Sequence, residues 1–249
     1  VIRTAGTNTD GETVVACDRA GFKTELLHVN RLVEKPERFR EYDCFVVPGG
    51  FSYGDDLGSG RVFANELRLR LLDPIREFVR AGKFVLGICN GFQVLVKAGL
   101  LPDPLAEGPP SVTLTFNDSG RFEDRWIRLK AVSSKCAWVR EGEFLETAVT
   151  HGEGKFVAPA ATLDRLEAAG QVVLKYVDRT GAETGYPANP NGSLRNIAGL
   201  CDPTGRVFGL MPHPEKHLDM TNHPRWTRGI EKRPLGLSLF RAAFERLSK

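Results

Sequence analysis

The chain has 249 residues, 41% of them hydrophobic and 26% charged, with a formal net charge of +3. That composition suits one large α/β domain spanning residues 1–249 and argues against a fibre, a disordered tail or a nucleic-acid-binding protein. No apolar stretch is long enough to span a bilayer and no segment resembles a signal peptide, so a cytoplasmic location without a membrane partner is expected.

In chain order, Val1-Ile2 reads as the end of a strand entering a turn at Thr4-Ala5-Gly6, with one or more residues expected before Val1. A helix over Asp10 to Ala20, stopped by Gly21, and a strand over Thr24 to Val29 complete a β-α-β opening. Cys44-Phe45-Val46-Val47 is a continuous apolar run ending at Pro48-Gly49-Gly50, as expected of a strand buried on both faces of a parallel sheet. Asn65 to Arg80 carries apolar residues at helical spacing, with a bend or break at Pro74 and a stop at Gly82. Lys83 to Ile88 is another buried strand, and a helix runs from about Phe92 to Gly99.

Beyond Pro102 the pattern changes to strand-like segments: Ser111 to Phe116, Arg125 to Ala131, Phe144 to Thr150, Gln171 to Val177, Asn196 to Cys201 and Val207 to Leu210. Some of these should be antiparallel. A final helix over Gly236 to Leu247 presents Leu237, Phe240, Ala243, Phe244 and Leu247 on one face. The expected fold is a doubly wound, mostly parallel sheet flanked by helices, with antiparallel strand additions in the second half. The basic run Arg225, Arg228, Lys232 and Arg233, interleaved with Trp226 and Gly229, reads as a solvated or partner-facing loop because it lacks a groove-reading motif.

Cys17, Cys44, Cys89, Cys136 and Cys201 are odd in number and widely spaced, which excludes a disulfide framework or a paired zinc motif. Four of them read as small buried fillers. Cys89 differs. Gly87-Ile88-Cys89-Asn90-Gly91 sets a thiol between two glycines where a buried strand meets a helix, the pattern of a nucleophile elbow. A helix N-terminus and a nearby imidazolium would both favour its thiolate. Taken alone, the same residues also describe a strand that simply turns.

His213-Pro214-Glu215 follows a strand and supplies a base and a carboxylate to orient it. His213 and His217 also have the i, i+4 spacing of metal ligands, but Pro214 stands where a zincin has Glu and no further ligand cluster accompanies them, so no metal is expected. The loop Pro48-Gly49-Gly50-Phe51-Ser52-Tyr53-Gly54-Asp55 can bring backbone N–H groups to the carboxyl edge of the sheet. As an isolated string it could donate to an oxyanion, cradle a phosphate or merely turn.

Together these segments, with Asn117, Ser119 and Arg121-Phe122, His151-Gly152-Glu153-Gly154 and Asn189-Pro190-Asn191-Gly192-Ser193, resemble the class I glutamine amidotransferases over nearly the whole chain. The branch they resemble is the glutaminase subunit of phosphoribosylformylglycinamidine synthase, a purine-pathway enzyme, and the flavodoxin-like fold follows from it. The resemblance implies that Cys89 attacks the glutamine carboxamide, His213 moves the protons and Glu215 orients His213. Backbone N–H groups of Gly50 and Asn90 would hold the oxyanion. Gln93 would help hold glutamine, with Phe51, Asn117 and Phe122 as further pocket residues. His151 either satisfies a backbone carbonyl or lines an exit for ammonia toward a partner.

The resemblance also implies a synthetase partner of the PurL type, with a small bridging subunit of the PurS type or a fused synthetase, and places ATP and magnesium on that partner. No cofactor is expected in this chain. Two departures from the family pattern, the loop Arg3 to Asn8 and the stretch Asp56 to Arg61, leave open whether the chain is a free subunit or part of a fusion. A thiol hydrolase or peptidase on a related scaffold, and a binding scaffold without chemistry, are the competing readings.

Overall fold

In the computed structural model a short strand β1 (Ile2–Arg3) runs parallel to β2 (Leu27–His28), and the two are joined through helix α1 (Asp10–Ala20). The structure describes residues 1–228 and 235–248, so Gly229, Lys232 and Arg233 of the basic run lie outside the described residues. Asp10 and Glu12 complement the positive end of α1, and Gly21, in a left-handed conformation, closes its other end. The strand expected from Thr24 to Val29 shrinks to two residues. A six-residue helix α2 (Val29–Glu34) begins at its far end, capped by the His28 side chain, which accepts from the Asn30 N–H.

Strand β3 (Cys44–Val47) is followed by the loop at 48–55 and then by helices α3 (Arg61–Arg70) and α4 (Leu72–Arg80). The expected break thus falls at Leu71, ahead of Pro74. Pro74 occupies the first turn of α4, where its missing N–H costs no intrahelical bond. Strand β4 (Phe84–Ile88) is buried at every position, and α5 (Asn90–Lys97) is buried from Asn90 to Val96. Such a helix must be enclosed on all sides.

The second half supplies β5 (Thr113–Thr115), β6 (Glu123–Ala131), β7 (Phe144–His151), β8 (Lys155–Val157), α6 (Ala160–Ala168), β9 (Val172–Val177), β10 (Ile197–Cys201), β11 (Val207–Leu210) and α7 (Gly236–Leu247). Helix α6 is an element that the reading of the sequence did not anticipate. The main sheet has the order β3-β4-β11-β10-β9-β6-β7. Its β3, β4 and β11 are mutually parallel, and the remaining pairings are antiparallel, so the antiparallel additions do fall in the second half. Strands β5 and β8 form a separate antiparallel pair.

Helix α5 lies against β3, β4 and β11 at a spacing that only small residues permit. A Cβ on Gly91 would approach the Val47 carbonyl oxygen to 1.9 Å, and one on Gly209 would enter the Phe92 ring at 2.1 Å. The sheet also curls: its last strand, β7, returns to the segment after β11, where the His213 N–H donates to the Ala148 carbonyl at 2.9 Å. That closure brings residues from opposite ends of the sheet order into one site.

Candidate active site

Strand β4 delivers Cys89 and its neighbour β11 delivers His213, in register with Ile88 opposite Leu210. Cys89 has φ +50° and ψ −107°, a conformation costly for a residue with a side chain, and its N–H is tied to the Leu210 carbonyl at 2.8 Å. Gly87 and Gly91 make this turn sterically feasible. A Cβ on Gly87 would lie 2.7 Å from the Gly91 oxygen. The elbow read from the sequence is therefore present, with the buried thiol at the N-terminus of α5.

His213 and Glu215 are both buried, and His213 Nδ1 lies 2.5 Å from Glu215 Oε1. Burial alone would lower the pKa of this imidazole, but the negative charge of Glu215 and the adjacent Cys89 outweigh it and raise the pKa to about 10. The ring packs on the loop after β3: a Cβ on Gly49 would meet His213 Cε1 at 2.7 Å. His217, considered above as a metal ligand, instead directs Nδ1 to the Glu146 carbonyl at 2.5 Å and packs edge-on against Trp126.

The Gly50 loop sits against the first loop of the chain, which settles the packing of Arg3 to Asn8. Phe51 N–H donates to the Gly6 oxygen and Asn8 N–H to the Gly49 oxygen, bracketing a bridge between Thr7 and Gly50. In that bridge the N–H of Gly50 is left out of the bonded pattern. The N–H of Asn90, in the first turn of α5, likewise has no intrahelical acceptor.

The proposed pocket residues separate into two groups. Phe51 and Phe122 are 44% and 52% exposed and stack at 6.3 Å, forming an aromatic rim that stays open to solvent. Gln93 and Asn117 are buried and already engaged. Gln93 donates to the Glu153 carbonyl and accepts from Asn90, while Asn117 donates to the carbonyls of Arg121 and His151 and accepts from the Gly154 N–H. In this conformation both tie the site together rather than facing a ligand.

His151 is also interior, at 3% exposure, under Gly154. Its burial, then the charge of His213, push its pKa down to about 3, so the ring is neutral at ordinary pH. Its Nδ1 has no hydrogen-bond partner. It does not satisfy a backbone carbonyl through that atom, and it does not stand on a surface where a partner could touch it.

Thr150, which no sequence motif singled out, is part of the site. Its hydroxyl lies 3.1 Å from His213 Nε2 and its carbonyl 4.0 Å from Cys89 Sγ. The contact exists because β7 curls back beside β11, a long-range event with no local signature.

Over residues 1–245 the chain matches the family described as CobB/CobQ-like glutamine amidotransferase domain. It is 46% identical to the phosphoribosylformylglycinamidine synthase subunit PurQ of Dehalococcoides mccartyi over 244 residues, covering 96% of this chain and 93% of that protein. It is 45% identical to the PurQ subunit of Archaeoglobus fulgidus over 233 residues, covering 87% of this chain and 86% of that protein. Among solved structures, the PurLQS complex of Thermotoga maritima contains a chain that matches with a TM-score of 0.76 at 28% identity, covering 99% of this chain and 96% of that one. A glutamine amidotransferase of the same organism shares the fold, with a TM-score of 0.57 at 17% identity. The chain belongs to the glutamine amidotransferases and, within them, to the PurQ-type glutaminase subunits.

Proposed function

We propose that this chain is the glutaminase component of phosphoribosylformylglycinamidine synthase, working as a single domain through a Cys89 glutamyl thioester. The observation that carries the reading is the strained Cys89 elbow facing a buried His213–Glu215 pair in a chain of this family.

The Cys89 thiolate attacks the side-chain carboxamide of glutamine, and the N–H groups of Gly50 and Asn90 take the oxyanion. The His213 imidazolium gives its Nε2 proton to the departing nitrogen, which leaves as ammonia. Water then attacks the thioester while neutral His213 accepts its proton, releasing glutamate and restoring the thiolate. Glu215 holds Nδ1 throughout, which fixes Nε2 as the working nitrogen. Phe51 and Phe122 form the rim over which glutamine enters.

The resemblance to the PurLQS chain supports partners of the PurL and PurS types. In this reading ATP and magnesium act on the synthetase, which makes formylglycinamidine ribonucleotide. His151 would act on ammonia transfer only from the interior. Among the described residues no helix is long and apolar enough to cross a membrane, and the cytoplasm is the proposed location.

The test is glutamine-dependent amidine formation by the synthetase with and without this chain, using the parent protein and Cys89→Ala. The parent should confer the glutamine-dependent reaction and the variant should leave only activity with added ammonia. Equal glutamine use by the synthetase alone, or full activity of Cys89→Ala, would overturn the proposal.

A further inference from the structure

We infer that the side chain of Asn90 is the positioning residue that clamps the oxyanion-binding loop onto the nucleophile elbow. This rests on the assignment of the Gly50 and Asn90 N–H groups proposed above. Asn90 is 3% exposed, and every hydrogen-bonding position of its carboxamide is used. Oδ1 accepts from the Ser52 N–H at 3.2 Å and the Ser52 hydroxyl at 2.6 Å, while Nδ2 donates to Asp55 Oδ1 and Gln93 Oε1, both at 3.1 Å.

The loop that it grips has an unusual backbone. Gly50 has φ +144°, and Tyr53, Gly54 and Asp55 follow one another at φ +54°, +70° and +54°. Two of those three residues carry side chains, so the run persists only where its surroundings over-determine it. On one side the surroundings are the first loop of the chain, through Phe51 N–H to the Gly6 oxygen and Tyr53 N–H to the Ala5 oxygen, both 2.8 Å. On the other side Asn90 supplies the hold, and the Asp55 oxygen that it binds also accepts the Gly60 N–H at 3.0 Å.

One residue therefore offers its backbone N–H to the oxyanion and its side chain to the loop bearing the second donor. The two donors are referenced to the same Cα, and their separation is set by three hydrogen bonds from one carboxamide, two to Ser52 and one to Asp55, while Gln93 holds the amide from its own helix. This gives the side chain immediately after the nucleophile a task distinct from that of its backbone.

The discriminating experiment compares two reactions of Cys89 in Asn90→Ala and Asn90→Asp. Glutamine hydrolysis needs the oxyanion donors, whereas alkylation of the thiol by iodoacetamide is a displacement that does not. We expect kcat to fall about 10²-fold, with KM for glutamine and the alkylation rate each within about threefold of the parent. Asn90→Asp should be no better than Asn90→Ala, because it sets a carboxylate against Asp55. Ser52→Ala, which removes one of the bonds to Oδ1, should lose about 10-fold in kcat, and it carries the test if the Asn90 variants fail to fold.

A kcat within about threefold of the parent in the soluble variants would overturn the inference, as would an alkylation rate that falls in step with kcat. Cys89→Ala run in parallel separates the two levels. Activity there would remove the thiol mechanism itself, whereas activity in the Asn90 variants alone would remove only the clamp.

Discussion

The hydroxyl of Thr150 stands 3.1 Å from Nε2 of His213, while Glu215 holds Nδ1 of the same ring at 2.5 Å. The nitrogen that must exchange protons with Cys89 and with the departing amine thus has a second partner of its own. Thr150→Val keeps the shape and removes that partner. Glutamine hydrolysis should show kcat reduced about 5-fold, in line with one net hydrogen bond, with KM little changed and Thr150→Ser restoring the parent value.

Replacing Glu215 by Gln should affect both rate and pH dependence. The folded-state pKa of His213, raised to about 10, lies above its ordinary value of 6.5. Its contribution to stability is therefore complete below about pH 6.5 and is lost as pH rises through about 10. In Glu215→Gln the neutral amide no longer supports the imidazolium. Denaturant titrations between pH 7 and 10 should show a shallower decline, and kcat should fall by about 10²-fold or more because the ring loses its orienting charge.

His151 predicts the opposite slope on the acid side. With its pKa depressed to about 3, the folded state binds no proton there while the unfolded chain does so below about 6.5. Stability is lost as pH falls from about 6.5 toward 3. His151→Gln should flatten the part of that loss owed to this residue. Urea midpoints for parent and variant at pH 7.0 and 5.0 check the sign: a variant that loses as much stability as the parent over that interval would contradict it.

Two glycine substitutions should diverge sharply. Gly91→Ala drives a methyl into the Val47 carbonyl at 1.9 Å, where backbone must move, and should cost about 3 kcal/mol or more or abolish soluble expression. Gly11→Ala in α1 meets nothing within 4 Å and should stabilise by about 0.5–1 kcal/mol. Thermal unfolding of the two variants beside the parent measures the contrast.

The legibility of the sequence followed the range of the interactions involved. The elbow was visible because Gly87, Cys89 and Gly91 obey a steric rule within five positions, and β3 and β4 because full burial writes itself as continuous apolar runs. Helix α6 had a local signal too, in Leu163 and Leu166 after Pro159 and before Gly170, and was missed among the strand-like segments around it. The two-residue β2 and the break at Leu71 reflect tertiary fit, which overrides local spacing. For Gln93 and Asn117 the family resemblance implied ligand contacts; the bonds that their amides make to the Glu153 and His151 carbonyls join positions more than 30 apart and have no local signature. Thr150 depended on the curl of the sheet and could not have been found locally.

The pairing of β4 with β11 has a consequence for how such a chain can vary. Nucleophile and base leave adjacent parallel strands about 4.8 Å apart, Cys89 one residue and His213 three residues beyond the pair Ile88–Leu210, and His213 is pinned in addition to Ala148 of β7. Loops can lengthen, exchange rims or acquire new docking contacts without retuning the distance between thiol and imidazole. The chemistry is thus anchored at β11, where the parallel and antiparallel parts of the sheet meet.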